Sequence, residues 1–124
     1  MATILLVEDD RFLSDTIRSY LEFKKHVVDR AFEGPEALDK MQHGTYDLII
    51  LDWQLPGMDG IDVCRTYCEQ TAQRAPVLML TGRSDPKEVQ AATEAGASGF
   101  LPKPFKLDQL EKNVDKILTE TVHN

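Results

Sequence analysis

Short apolar runs divide the chain at intervals, separated by segments of mixed polarity. Four runs lack alternating polar residues, which is the pattern of strands covered on both faces of a parallel sheet. They occupy residues 4–7, 48–51, 77–80 and, more briefly, 99–101. A weaker run at residues 26–29 fits an edge strand, where one side is open to water. The pattern therefore predicts five strands.

In the segments between the predicted strands, apolar residues recur at the intervals typical of a helix. Three of these segments carry apolar stripes with the spacing of one helix face. The stripes consist of Leu13, Ile17, Tyr20 and Leu21, of Ala37, Leu38 and Met41, and of Leu107, Leu110, Val114, Ile117 and Leu118. Gly34 as N-cap and Pro35 in the first turn begin the second stripe. The helix of the third stripe is expected to end near Thr121.

Two further helices are predicted from their end signals. Asp59 is a suitable N-cap for a helix over residues 61–71. Residues 85–88 read Asp-Pro-Lys-Glu, which gives a cap, a first-turn proline and an acidic third position. That helix should run to Ala95 and end at Gly96. Strand and helix then alternate five times, which predicts an α/β fold with a doubly wound parallel sheet and helices on both faces.

Composition narrows the class of protein. The 124 residues fit one domain over residues 1–124. The net charge of −7 argues against direct binding to nucleic acid. The sequence has neither the roughly 18 apolar residues of a membrane span nor a basic leader before a long apolar stretch, so a cytoplasmic protein is expected. Cys64 and Cys68 are too few for a disulfide framework, and on a helix they would share a core face with Ile61.

Polar side chains follow the predicted strands where each strand ends. Glu8, Asp9 and Asp10 follow the first strand, and the next three buried strands are followed by Asp52, Thr81 and Lys103. Ligands bind open parallel sheets outside the carboxyl ends of the strands. These groups should therefore converge on one edge of the sheet.

The chemistry open to such a cluster is narrow. Gathered carboxylates repel one another, and Mg²⁺ relieves that repulsion while keeping sites for water and phosphate oxygens. A carboxylate can then attack the phosphorus of a donor, with the charge held by metal, ammonium and hydroxyl. Each residue alone has a plainer interpretation: a capped turn for the acidic run, a turn residue for Asp52, a cap for Thr81 and a solvated amine for Lys103.

Together these motifs are highly specific, and the sequence resembles the receiver domain of two-component response regulators over roughly residues 3–119. The motifs are Leu-Val-Glu-Asp-Asp at 6–10, Asp-Leu-Ile-Ile-Leu-Asp at 47–52, Leu-Pro-Gly-Met-Asp-Gly at 55–60, Leu-Thr-Gly at 80–82 and Gly-Phe-Leu-Pro-Lys-Pro-Phe at 99–105. The resemblance implies a flavodoxin-like fold with five helices and the strand order 2-1-3-4-5.

The resemblance also implies roles for the acidic residues. Asp52 corresponds to the phosphoacceptor of the family. Asp9 corresponds to a direct Mg²⁺ ligand, and Glu8 to an acid that acts on the metal through water. The backbone carbonyl of Gln54 would be the third protein ligand, beside Asp9 and Asp52.

Further expectations concern the switch and its partners. Thr81 would hydrogen-bond the phosphoryl group, Lys103 would pair with it, and the Lys103–Pro104 peptide would be cis. Phe100 corresponds to the switch aromatic that turns inward when Thr81 moves towards the phosphate. The donor would be a histidine kinase or phosphotransfer protein, and a downstream protein would bind the face around Phe100, without direct nucleic-acid or membrane contact.

Two other functions are weighed against this interpretation. A hydrolase with an aspartate nucleophile would resemble Asp-x-Asp-x-Thr, whereas Trp53 and Gln54 follow Asp52 here. A phosphorylation-independent interaction module would have lost Asp52, Lys103 or the acidic pair, and all are present. The sequence therefore predicts a stoichiometric phosphoacceptor rather than an enzyme, apart from slow loss of its own phosphoryl group.

Overall fold

The computed structural model describes residues 1–82 and 86–122, and the side chains of all of these but 121 and 122. Strands and helices alternate along the chain as predicted. The elements are β1 (Thr3–Val7), α1 (Arg11–Phe23), β2 (Val27–Ala31), α2 (Gly34–His43), β3 (Leu48–Asp52), α3 (Gly60–Gln70), β4 (Val77–Thr81), α4 (Pro86–Ala95), β5 (Gly99–Pro102) and α5 (Leu107–Val122).

All five strands form one parallel sheet in the order β2-β1-β3-β4-β5, which confirms the predicted fold. The order reverses between β1 and β3, which are adjacent, so Glu8, Asp9 and Asp10 after β1 lie next to Asp52 at the end of β3. The edge strand β2 begins at Val27 and extends to Ala31, later than the predicted 26–29. Its exposed and half-buried residues alternate up to the buried Ala31, which explains its weak apolar signal.

Alternating strand residues supply two separate cores. One face of the sheet, which includes Leu5, Ile49 and Met79, packs against buried residues of α2, α3 and α4. The other face, which includes Leu6, Ile50 and Leu80, packs against α1 and α5. Both faces of the central strands are therefore dry, as their continuous apolar runs require.

Helix starts follow the predicted signals with one correction. The Asp10 side chain caps α1 by accepting a hydrogen bond from the Leu13 N–H at 3.2 Å, and Asp59 is the N-cap of α3. Gly34 is not the N-cap of α2 but its first helical residue, and Glu33 is the N-cap. Glu33 has an extended backbone, and its carbonyl already accepts the first hydrogen bond of the helix, from the Ala37 N–H at 3.0 Å.

Helix ends also agree closely with the sequence. Gly96 follows α4 with φ of +106°, a conformation that glycine adopts readily. The predicted cap Asp85 lies outside the described residues. Cys64 is buried and Cys68 is partly buried on α3, both as free thiols. No helix among residues 1–82 and 86–122 has the length and apolar character that crossing a membrane requires.

Candidate functional site

A polar cavity of about 500 Å³ lies at the carboxyl edge of the sheet. Backbone hydrogen bonds hold the strand ends around it: the Trp53 N–H donates to the Leu80 carbonyl at 2.8 Å, and the Lys103 N–H donates to the Thr81 carbonyl at 2.5 Å. Its lining consists of Glu8, Asp9, Asp10, Asp52, Trp53, Gln54, Thr81, Gly82, Glu88 and Lys103. The predicted convergence of strand ends is therefore present.

Three carboxylates meet at the centre of this cavity. One oxygen each from Glu8, Asp9 and Asp52 lie within 4.8 Å of one another. Glu8 is 0% exposed and Asp52 is 5% exposed, whereas Asp9 is open to solvent. The cluster thus combines two desolvated acids at the base with one accessible acid at the rim.

Lys103 bridges the two buried acids. Its Nζ lies 2.7 Å from Glu8 Oε1 and 3.1 Å from Asp52 Oδ1. The second Glu8 oxygen accepts the Asp10 N–H at 3.1 Å. Lys103 is the residue that directly follows β5, and its side chain extends into the cavity. The Lys103–Pro104 peptide is cis, as expected from the sequence.

The electrostatics of the cluster disfavour two free carboxylates. Burial, with a further contribution from the charge of Asp52, raises the pKa of Glu8 to about 7, although the hydrogen bonds from Lys103 and Asp10 oppose this. Burial also raises the pKa of Asp52, against the opposing effect of Lys103. The two acids raise the pKa of Lys103 in turn, despite its own partial burial. Added positive charge at this site would therefore be favourable.

Hard cations prefer oxygen ligands, so the donor set suits Mg²⁺. Glu8, Asp9 and Asp52 supply the carboxylates, and Gln54 lies in the β3–α3 loop that lines the same cavity. Two of the acids are already desolvated and pressed together, which is the arrangement a divalent ion relieves. The residues present therefore fit the metal predicted from the sequence.

The remaining predicted residues divide between the cavity and a neighbouring face. Thr81, the last residue of β4, is 3% exposed and lines the cavity. Phe100 does not line it: it lies on β5, partly buried, and packs against the core beneath α2, α3 and α4. Phe100 is joined to the cavity by β5 itself, which leads to Lys103, and by the pairing of β5 with β4, which ends at Thr81.

Sequence reasoning missed Glu88 as a residue of the cavity wall. It was interpreted only as the acidic third position of a helix start, and it does lie in the first turn of α4. A first-turn acid is an ordinary helix signal, and no periodic pattern in the sequence says which surface the start of a helix will face. The acid itself, close in sequence to Thr81, was the only available signal.

Comparison with known families shows which class of domain carries this fold and this cavity. The model of the response regulator receiver domain matches residues 4–115. The chain belongs to this family, and it is a receiver domain of two-component systems. Receiver domains bind Mg²⁺ at an acidic pocket, the kind of cluster formed here by Glu8, Asp9 and Asp52.

Individual relatives and solved structures resemble the whole chain. Response regulator MprA of Mycobacterium sp. (strain KMS) is 38% identical over 118 residues, which cover 95% of this chain and 51% of that protein. The chain thus spans about half the length of the curated relatives it matches.

Two solved structures cover almost all of the chain. The receiver domain of Francisella response regulator 1452 superposes with a TM-score of 0.91 at 27% identity, covering 98% of this chain and 99% of that one. Vibrio cholerae chemotaxis protein CheY4 does so with a TM-score of 0.87 at 32% identity, covering 94% and 98%.

Proposed function

We propose that this receiver domain accepts a phosphoryl group on Asp52 in the presence of Mg²⁺ and changes its binding to a partner protein as a result. The observation that carries the proposal is the Asp52 carboxylate itself. It is buried at the base of an open polar cavity, 3.1 Å from the Lys103 amine and within 4.8 Å of two further acids. A purely structural aspartate would have little reason to occupy so unfavourable a place.

Magnesium would be held by Asp9, Asp52 and the Gln54 carbonyl, with Glu8 acting through water. Bound there, the ion would neutralise the carboxylates and orient the oxygens of the donor phosphate. Asp9, the exposed acid at the rim, gives the ion a route of entry from solvent.

The chemical step is a displacement at phosphorus. An Asp52 carboxylate oxygen attacks the phosphorus of the donor, a new O–P bond forms, and the bond to the leaving group breaks with its electron pair. Lys103 holds a phosphoryl oxygen by charge, which requires its amine to exchange Glu8 or Asp52 for the new group. The Thr81 hydroxyl donates a hydrogen bond to a second phosphoryl oxygen. One turnover leaves an acyl phosphate, so the domain is a stoichiometric acceptor.

The donor is a histidine kinase or phosphotransfer protein, and the response is read on the face around Phe100. A dianion at Asp52 draws Thr81 inward, and Thr81 ends the strand next to β5. Phe100 pairs with Met79 two residues before Thr81, so a shift of Thr81 reaches it through the sheet register. A downstream protein then binds the repacked face.

The direct test is labelling with a small phosphodonor. The purified chain incubated with acetyl phosphate and Mg²⁺ should gain one phosphoryl group by intact mass spectrometry, and chelation of the metal should prevent it. Asp52→Asn should abolish the gain. Asp47→Asn is the matched control, since Asp47 lies at the opposite end of the same strand and should label as the wild type does.

Two results would refute the assignment. Undiminished labelling of Asp52→Asn would place the acceptor elsewhere. Many turnovers of p-nitrophenyl phosphate per molecule would indicate a hydrolase instead of a stoichiometric acceptor.

A further inference from the structure

The β3–α3 loop that carries Gln54 is fixed at three points by backbone hydrogen bonds. The Trp53 N–H donates to Leu80 on β4 at 2.8 Å, and the Trp53 carbonyl accepts the Gly60 N–H of α3 at 2.6 Å. The third bond comes from a helix on the far side of the loop: the Gly34 N–H of α2 donates to the Pro56 carbonyl at 2.9 Å. Gln54 lies between Trp53, which makes the first two of these hydrogen bonds, and Pro56, which makes the third.

The contact at Gly34 has no spare space. A Cβ atom built on Gly34 would lie 2.5 Å from the Met58 Cβ and 2.5 Å from the Met58 carbonyl oxygen. The neighbouring contact is nearly as close, because a Cβ on Gly57 would lie 3.0 Å from the Pro35 Cδ. The first turn of α2 is therefore pressed directly against the backbone of the loop.

A displacement at this contact would move the loop more readily than the helix. Ala37 and Met41 of α2 are buried in the core, with exposures of 0% and 2%. In the loop, Leu55 alone among residues 54–59 is buried, at 8% exposure, whereas Gln54, Pro56 and Gly57 are exposed, so less packing holds the loop than the helix. A methyl group added at Gly34 would push the loop and with it the backbone at Gln54.

We infer that Gly34 is a positioning residue of the magnesium site, and that the start of α2 sets the position of the Gln54 carbonyl. This inference rests on the proposed function, because it requires that carbonyl to be a ligand. Gly34 itself does not line the cavity. Mg²⁺ demands near-ideal octahedral geometry at about 2.0–2.1 Å, so a displacement of a few tenths of an ångström in one ligand weakens binding. Loss of such outer support lowers metal affinity by about 10- to 100-fold.

The test is the Mg²⁺ dissociation constant of Gly34→Ala, measured by titration of Trp53 fluorescence. Trp53 is the only tryptophan of the chain and lines the cavity. We expect the dissociation constant to rise about tenfold. The melting temperature in chelator is recorded beside it, because a general loss of stability would lower that temperature without a selective effect on the metal.

Gly44→Ala is the matched control at the other end of α2. A Cβ there would also clash, at 2.6 Å from the Tyr46 ring and 2.8 Å from the Lys40 carbonyl oxygen. Both variants therefore add one methyl group to a crowded end of the same helix, but only one end touches the loop. We expect Gly44→Ala to bind Mg²⁺ within twofold of the wild type.

The outcomes distinguish failure of the positioning role of Gly34 from failure of the proposed Mg²⁺-dependent function. Equal Mg²⁺ affinity of Gly34→Ala and wild type, or equal weakening by both alanines, would overturn the positioning role while leaving the metal site intact. A wild-type chain that binds no Mg²⁺ in the titration or by thermal shift would overturn the proposed function first.

Should Gly34→Ala fail to fold, Pro35→Ala decides the question. This variant removes the ring that lies beside Gly57 without adding atoms, and the inference requires it to weaken Mg²⁺ binding, by less than the roughly tenfold expected of Gly34→Ala. Unchanged affinity in Pro35→Ala would overturn the inference.

Discussion

The two ends of β3 carry the same side chain in opposite circumstances. Asp47 precedes the strand and is exposed, and its Oδ2 accepts the Thr3 N–H at 2.8 Å. Asp52 ends the strand 5% exposed, and its nearest cation is the Lys103 amine at 3.1 Å. At the amino edge the carboxylate accepts a hydrogen bond from a backbone N–H of the neighbouring strand β1. At the carboxyl edge it is held desolvated among other charges.

The difference indicates that the carboxyl edge of the sheet serves a function that costs the protein stability. The exposed Asp47 satisfies a backbone N–H without losing its contact with water, whereas Glu8 and Asp52 have raised pKa values because their burial opposes ionisation. Side chains that break the local rules of folding mark functional sites. The predictions below test this contrast between the two edges.

The largest expected effect follows removal of the bridging cation. Lys103→Ala leaves Glu8 and Asp52 facing each other without a counter-charge, so we expect the metal-free protein to lose about 3 kcal/mol of unfolding free energy. The measurement is urea denaturation in chelator. Lys106→Ala, at an exposed lysine three residues along, should change stability by less than about 0.5 kcal/mol. Equal stability of the two variants would show that Lys103 does not compensate the buried acids.

Magnesium should raise the unfolding free energy of the protein, and this gain should depend on residues at the carboxyl edge but not on residues at the amino edge. A ligand at about 100 times its dissociation constant adds about 2.7 kcal/mol to the unfolding free energy. We expect Asp9→Asn to lose most of that gain, because it removes an accessible carboxylate from the cluster. Asp47→Asn should retain all of it. The measurement is the melting temperature with and without Mg²⁺, and full stabilisation of Asp9→Asn would exclude Asp9 as a ligand.

Much of the fold could be predicted because buried parallel strands have a simple signature. The runs at 48–51 and 77–80 each end one residue before the observed strand, since Asp52 and Thr81 are polar strand residues. The predicted edge strand stopped at Asp29, two residues before the observed end, because two consecutive charged residues, Asp29 and Arg30, are more typical of a loop. Their partners are distant in sequence: Lys40 lies 3.3 Å from Asp29, and Asp15 lies 2.6 Å from Arg30.

The sequence predicts the part of the site that the strand ends determine, and the family resemblance adds Gln54 of the β3–α3 loop, which lines the cavity. Parallel strands bring their carboxyl ends together whatever the loops do, so the meeting of Glu8, Asp52, Thr81 and Lys103 followed from order alone. Loop paths carry no comparable periodicity. The close contact of Gly34 with Met58 and the placement of Glu88 on the cavity wall needed coordinates.

A smaller effect is expected at the amino edge from Asp47→Ala. The Thr3 N–H would lose its acceptor at an exposed position, where water can replace it, so we expect a loss of about 1 kcal/mol in unfolding free energy. Phosphoryl labelling and Mg²⁺ affinity should stay at the wild-type values. A change in either would mean that the two ends of β3 are coupled, against the contrast drawn here.

The smallest effect concerns His26, at the same edge. Its Nδ1 accepts the Ala2 N–H at 3.1 Å, and burial, followed by the charge of the N-terminal amine, lowers its pKa. The unfolded chain therefore takes up a proton before the folded protein does. The stability that neutral His26 contributes is complete above about pH 6.5 and is lost as the pH falls below that value towards the folded pKa. Because the ring is partly exposed, we expect the loss between pH 8 and pH 5.5 to be at most about 1 kcal/mol. His26→Gln should lack this share of the pH dependence in urea denaturation, and identical pH profiles for variant and wild type would show that the His26 contact does not contribute to the pH dependence of stability.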